Sequence, residues 1–310
     1  MALWLKPSVS EPASVWVDIF RERMPEMEVR VWPDIGNPDD IEFALVRKPP
    51  PGELAKCRNL RFVASIPAGV ETLLGDDIIP AQVPLVRTMS PVRASEMAEF
   101  ALMHSLWFHR GMLDYQTMLA KGVWKKMPQP EPHERRVGVM GLGALGLEVA
   151  RRHAANGFTT AGWVRTPREV PGVEIFAGQD SFDAFLARTD ILVCVLPMTP
   201  DTDGIMNADL FAKLPKGAFM INMARGAHLV EADLLASIDA GHMAGAAVDV
   251  FEVEPPPADM PIVNHPRVIT TPHVSTRSRA IHLMEGLMEN MRRARAGEPL
   301  LLQVDRSAGY

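Results

Sequence analysis

The sequence predicts an α/β protein of two domains, the larger built on a doubly wound parallel sheet. Three observations carry the prediction. Val137-Gly-Val-Met runs as a short apolar strand into Gly141-Leu142-Gly143-Ala144-Leu145-Gly146, and Leu145, Val149 and His153 follow at helical spacing. From there to Thr271 apolar strands alternate with helical segments. The chain has 310 residues, enough for two cores. In a strand–turn–helix of this kind each glycine of Gly-x-Gly-x-x-Gly has its own task. Gly141 allows the tight turn, Gly143 lets a pyrophosphate approach the backbone, and Gly146 lets the helix pack close to the strand. The helix N-terminus then offers free N–H groups and a partial positive charge to the phosphates. The pattern is that of a Rossmann-type dinucleotide domain; with no ligand it would be a Gly-rich turn and nothing more.

The elements follow in order. Trp4–Leu5 reads as a short strand, and Ser14 to Met24 has helical spacing through Val15, Ile19 and Phe20. Val29-Arg-Val-Trp and Phe43-Ala-Leu-Val are strand-like. Lys48-Pro-Pro-Pro-Gly breaks the chain, and Leu60 to Ile66 is another apolar strand. This alternation makes the first hundred residues a small α/β layer structure. A long helix is expected from Ala94 to Leu119, apolar on much of its surface and therefore buried in a core or at a subunit interface. The Pro-rich stretch from Met127 to Pro132 leads into the glycine strand. Strands are then expected at Val137–Met140, Thr159–Val164, Ile191–Leu196, Ala218–Asn222, Ala244–Val250 and Val268–Thr271. Helices are expected at Ala144–Asn156, Phe182–Ala187, Ala208–Leu214 and Glu231–Ala240. Gly157 and Gly241 stand at C-terminal cap positions, Ser181 and Asn207 at N-cap positions. Near-continuous apolar strands with helical crossovers argue a parallel sheet covered on both faces. A last helix, Arg277 to Ala296, is expected to return to the first domain, since chain ends often lie close together. The expected division is 1–92 with 280–310 for the smaller domain and 93–279 for the nucleotide domain.

Composition narrows the function classes. Lys and Arg number 32 against 38 Asp and Glu, a net charge of −6 with no basic block, which speaks against nucleic acid. No apolar run reaches the length of a membrane span, and the N-terminus lacks the pattern of a secretion signal. Cys57 and Cys194 are far apart with no metal-type spacing, so no metal is expected and two buried free thiols in a reducing cytoplasm are. The 19 methionines read as adaptable packing.

In an open parallel sheet the ligand lies outside the carboxyl ends of the strands. After the second nucleotide-domain strand comes Trp163-Val-Arg165-Thr166-Pro-Arg168. An NAD site offers an acid about here for the ribose 2′-hydroxyl. Arg165, Thr166 and Arg168 instead suit a 2′-phosphate through charge-assisted hydrogen bonds, so NADPH is expected over NADH; the alternative is a solvated basic loop. Later strands end in Leu196-Pro197-Met-Thr-Pro-Asp-Thr202, Asn222-Met223-Ala224-Arg225-Gly226, Asp249-Val-Phe-Glu-Val-Glu254-Pro and Thr271-Pro-His273. An Arg, an acid and a His thus leave one sheet edge. Arg offers a rigid fork to a carboxylate. His is the acid–base group of neutral pH, and a carboxylate beside it fixes its tautomer and favours its charged form.

With these motifs the chain resembles the D-isomer-specific 2-hydroxyacid dehydrogenases, and within them a bacterial group of glyoxylate/hydroxypyruvate reductases. The resemblance runs over nearly the whole chain, including its end from Gly297-Glu-Pro-Leu to Val304-Asp-Arg-Ser-Ala-Gly-Tyr310. It implies a flavodoxin-like smaller domain for substrate. It implies catalytic roles for Arg225, Glu254 and His273, and a substrate-carboxylate loop at Ala68-Gly69-Val70 whose successive N–H groups would form an anion nest. Arg225 would share the substrate's carboxylate. It implies cofactor contacts at Gly141 to Gly146, Arg165, Thr166, Arg168, Leu196, Pro197, Thr202, Met223, Ala224, His273 and Ser275, with Asp249 as the acid near the nicotinamide amide. Two positions depart from the family pattern. Pro67 stands where Gly is common, removing an N–H and stiffening the loop, and Glu71 stands where Asp is usual. Trp124 and Met127 fall in a segment that crosses between protomers in some family dimers, local packing being the alternative. His104, His109, His133, His153, His228, His242, His265 and His282 are expected in core or surface roles.

The implied activity is NADPH-dependent reduction of short 2-oxoacids, glyoxylate to glycolate and hydroxypyruvate to D-glycerate, by a cytoplasmic homodimer. One alternative is another dehydrogenase of the family, of the phosphoglycerate or formate type; the short C-terminus speaks against an added regulatory domain. The other is a nucleotide-sensing binding protein on the same fold, against which the intact Arg–Glu–His set speaks.

Overall fold

The computed structural model describes residues 2–7, 11–74, 78–277 and 279–306. The chain divides into two compact units, Met1–Val92 with Ser278–Tyr310, and Arg93–Arg277.

The first unit carries β1 (Ala2–Lys6), α1 (Ala13–Arg23), β2 (Glu28–Val31), β3 (Ile41–Val46), β4 (Phe62–Ser65), β5 (Leu85–Arg87) and α9 (Ala280–Ala296). Its five strands are parallel in the order β2-β1-β3-β4-β5, the flavodoxin-like order. The central strands are buried on both faces, which is why they read as unbroken apolar runs. On one face Trp16 and Phe20 of α1 and Leu283, Met284, Leu287 and Met291 of α9 pack on Leu3, Leu5, Phe43 and Phe62. The last helix therefore does join the first unit. Its described part starts at Ala280, with the N–H of Ala280 bonded to Glu11. Ser278, inside the helix expected from Arg277, and Ser307–Tyr310 at the tail lie outside the described residues.

The second unit begins within α2 (Pro91–His109) and continues with α3 (Met112–Ala120), β6 (Arg136–Met140), α4 (Ala144–Ala155), β7 (Thr159–Val164), β8 (Glu174–Ala177), α5 (Phe182–Ala187), β9 (Ile191–Cys194), α6 (Ala208–Lys213), β10 (Phe219–Asn222), α7 (Glu231–Asp239), β11 (Gly245–Val248), α8 (Pro261–Asn264) and β12 (Val268–Thr270). Seven parallel strands lie in the order β12-β11-β10-β9-β6-β7-β8. Numbered from β6, one edge to the other reads 3-2-1-4-5-6-7. The order reverses between β6 and β9, and ligands of such sheets bind at that switch point. Apolar clusters cover both faces of the sheet.

Three expectations need correction. The helix expected from Ala94 to Leu119 is two helices, because Gly111 takes φ of 64° and redirects the chain between α2 and α3. Ser181 holds the N-cap position of α5 but its side chain does not cap: the hydroxyl donates to the carbonyl of Gly178 instead of accepting from the helix. Asn207 does cap, its side chain accepting from Leu210 N. The edge strands β5 and β8 were not foreseen. Gly157 and Gly241 take φ of 85° and 70°, as a C-terminal cap requires. No described helix is long and apolar enough to cross a membrane, and no described cluster of side chains could hold a metal. Cys57 and Cys194 are free and buried, and burial pushes their thiols up to about 11 and about 12.

Candidate active site

The glycine turn is built as its three tasks demand. Gly141 has φ of 91°, a conformation that side-chain-bearing residues rarely adopt. A Cβ on Gly146 would overlap the carbonyl oxygen of Gly141, so the close approach of α4 to the turn depends on its absence. A Cβ on Gly143 would meet nothing within 4 Å. The turn is thus open on the side of Gly143, as a docking pyrophosphate needs. Leu142 is buried beneath Gly162 of β7, where a Cβ would overlap it. Arg168 donates from Nη1 to the carbonyl of Leu142 at 2.7 Å, so the basic loop after β7 is tied to the glycine turn. Arg165 and Thr166 are exposed on that same loop.

The loops after β9 and β10 are joined by a histidine that the sequence left in a core role. His228 is fully buried. Its Nδ1 accepts from Arg225 N at 3.2 Å, so Nε2 carries the proton and donates to Pro197 O at 3.2 Å. The ring fixes the backbone at Arg225, as does Asn222, which contacts Arg225 O and Ala224 N. Gly226 packs so close to Phe251 and Glu252 that a Cβ would overlap their backbone. This contact brings the loop of Arg225 against the loop that leads to Glu254. Thr202, expected at the cofactor, closes its own loop through Pro197 O at 2.8 Å and Thr199 N at 2.9 Å. Met223 and Ala224 are buried.

Glu254 and His273 meet. The Nδ1 of His273 lies 3.0 and 2.8 Å from the two carboxylate oxygens. A carboxylate only accepts, so Nδ1 carries the proton and Nε2 is left for a reacting group. Glu254 Oε1 also accepts from Phe251 N at 3.1 Å, which orients it from its own loop. His273 has φ of 53°, rare for a residue with a side chain and sustained only where the surroundings over-determine it. Asp249 supplies that determination. It is fully buried; its carboxylate accepts from Thr271 Oγ1 at 2.6 Å, Val274 N at 2.8 Å and Ser275 N at 2.8 Å. Its backbone oxygen accepts from His273 N at 2.9 Å. Glu96 of α2 closes the far end of the turn through Thr276 Oγ1 and Arg277 N. Neither Glu96 nor His228 gave a sequence signal, because each ties its own segment to a loop distant in the chain, Glu96 to Thr276 and Arg277 and His228 to Pro197.

In the first unit, β4 ends at Ser65 and the chain turns through Pro67-Ala68-Gly69-Val70. Ser65 Oγ lies 2.9 Å from Pro67 O and 3.0 Å from Gly69 O, and Thr88 Oγ1 donates to Ser65 O at 2.7 Å.

Residues 102–275 match the family model of the D-isomer specific 2-hydroxyacid dehydrogenase NAD binding domain. The chain belongs to the D-isomer-specific 2-hydroxyacid dehydrogenase family. It is 37% identical over 303 residues, 96% of each chain, to a glyoxylate/hydroxypyruvate reductase A of Salmonella newport. Among solved structures it is similar to a D-isomer specific 2-hydroxyacid dehydrogenase of Xanthobacter autotrophicus Py2 in complex with NADPH and MES, at 38% identity, TM-score 0.96, and 100% and 99% of the two chains covered. It is also similar to an NADPH-dependent glyoxylate/hydroxypyruvate reductase of Sinorhizobium meliloti in complex with NADP and sulfate, at 35% identity, TM-score 0.91 and the same coverage. Members of this family share the two parallel-sheet domains described above, and the second unit holds the match to the family's NAD-binding domain.

Proposed function

We propose that this dehydrogenase reduces short 2-oxoacids with NADPH, taking glyoxylate to glycolate and hydroxypyruvate to D-glycerate. The observation that carries the reading is the Glu254–His273 pair at 2.8 Å, held in a strained turn at the ligand edge of a dinucleotide-binding sheet. The two relatives named as glyoxylate/hydroxypyruvate reductases support the choice of substrate, and the one named NADPH-dependent supports the cofactor.

The second unit has the groups to hold a dinucleotide: the open turn at Gly141 to Gly146, the first turn of α4 for the pyrophosphate, and Arg165 and Thr166 for a 2′-phosphate. NADPH, when bound, supplies the hydride. The chain's own residues do the rest. The amides of Ala68, Gly69 and Val70 hold a carboxylate. Arg225 binds anionic oxygen and polarises the carbonyl that is reduced. His273 gives a proton from Nε2 to the alkoxide oxygen, while Glu254 holds Nδ1 and aims the ring. Asp249 keeps the turn beneath His273 in shape, whatever contact it makes with the nicotinamide amide.

The chain functions as a homodimer in the cytoplasm. Met103 and Leu106 of α2, Leu119 of α3 and Trp124, which is 91% exposed, are exposed apolar side chains of the second unit. Met127, by contrast, packs locally, its N–H bonded to the Tyr115 hydroxyl at 3.0 Å. The decisive assay is NADPH oxidation with glyoxylate. Turnover is expected; NADPH binding by fluorescence without oxidation would make the chain a nucleotide sensor.

A further inference from the structure

The loop at 67–70 shows how its donors are aimed. Ser65 is the last residue of β4 and is 1% exposed. Its hydroxyl sits between the carbonyl oxygens of Pro67 and Gly69, at 2.9 and 3.0 Å, and shares its single proton between them. Both carbonyls therefore point inward, toward the strand end. In a trans peptide the N–H points opposite to the C=O. The N–H groups of Ala68 and Val70 are accordingly both turned away from the Ser65 hydroxyl. Among the described residues neither donates to another group of the chain. Thr88, just beyond β5, anchors the base of the arrangement through Ser65 O at 2.7 Å and Ile66 O at 3.2 Å. Pro67 has no N–H and a fixed φ, so the loop has few other ways to satisfy those carbonyls.

We propose that Ser65 is a positioning residue for substrate: its buried hydroxyl holds two carbonyls inward so that the amides of Ala68 and Val70 face a carboxylate. The inference rests on the reading that this loop takes the 2-oxoacid carboxylate. It adds a residue that touches neither substrate nor cofactor and a cause for the loop's shape.

The test measures kcat, KM for glyoxylate and Kd for NADPH in Ser65→Ala, Ser65→Cys and Ala68→Pro. Ser65→Ala frees both carbonyls and should raise KM roughly threefold to tenfold, the scale of one neutral hydrogen bond, with kcat and NADPH binding unchanged. Ser65→Cys keeps the volume but donates weakly, and its KM should lie between those of wild type and Ser65→Ala; it decides the matter if Ser65→Ala does not fold. Ala68→Pro removes one of the two N–H groups and tests the underlying reading. If Ala68→Pro raises KM while Ser65→Ala and Ser65→Cys leave it at the wild-type value, the role of Ser65 is refuted and the loop reading stands. If Ala68→Pro also leaves KM unchanged, the loop does not hold the carboxylate and both fall.

Discussion

At the scale of single residues, the arginines after β7 have become distinguishable. Both were expected at a 2′-phosphate, yet Arg168 also holds the glycine turn through Leu142 O. Arg165→Ala should therefore weaken NADPH by about one to two decades, the worth of a charged hydrogen bond of roughly 1.5–3 kcal/mol, and leave NADH nearly untouched. Fluorescence titration with both cofactors checks this, and equal losses would refute the phosphate role. His273→Asn should lower turnover by at least about two decades, the usual scale for a positioned acid, with NADPH affinity retained; steady-state rates beside a binding titration separate the two effects. Most residues in these roles were legible because their chemistry is local to a motif at a strand end. Asp249 was legible as an important acid but not as the group that holds the His273 turn. Its three acceptor contacts reach residues 22 to 26 positions later, and no local pattern encodes that.

At the scale of elements, strands buried on both faces announced themselves as apolar runs, and two of the four edge strands, β5 and β8, did not. Leu85-Val-Arg has three residues, and Glu174-Ile-Phe-Ala is half solvated, so neither shows a continuous run. The break at Gly111 was hidden because apolar spacing continues on both sides of it. Close packing of α4 on the turn predicts that Gly146→Ala abolishes cofactor binding while the first unit's helices, read by circular dichroism, stay folded. Between α2 and α4, His153 donates from Nδ1 to Val149 O at 2.7 Å and receives the Ser105 hydroxyl on Nε2 at 2.8 Å, a neutral ring. His104 is buried against Phe100, and among the described residues its Nε2 has no partner. Burial pushes both imidazoles down to about 4. Above pH ~6.5, the ordinary value of an unfolded histidine, neither state binds the protons and no stability is at stake. As pH falls from there toward 4, the unfolded chain takes up protons that the folded chain refuses. Stability is then lost, on the order of 3 kcal/mol per ring at the bottom of that window. His104→Leu should shrink the drop in the urea midpoint between pH 7.5 and pH 5; an unchanged drop would remove His104 from the account.

At the scale of the whole molecule, the proposed homodimer would cover exposed apolar side chains of α2 and α3, Met103, Leu106 and Leu119. Light scattering at micromolar concentration should give twice the mass of 34.2 kDa, and a monomer would contradict it. The site stands on the paired acid and histidine. Glu254 accepts from Nδ1 of His273 at 2.8 Å and so aims Nε2 at the oxygen that is protonated. If Glu254 acts through His273, its loss costs nothing more once His273 is gone. The direct measurement is kcat/KM for glyoxylate at saturating NADPH in wild type, Glu254→Gln, His273→Asn and the double variant. The predicted result is a drop in Glu254→Gln that disappears in the His273→Asn background; equal drops in both backgrounds would contradict the pairing on which this site is built.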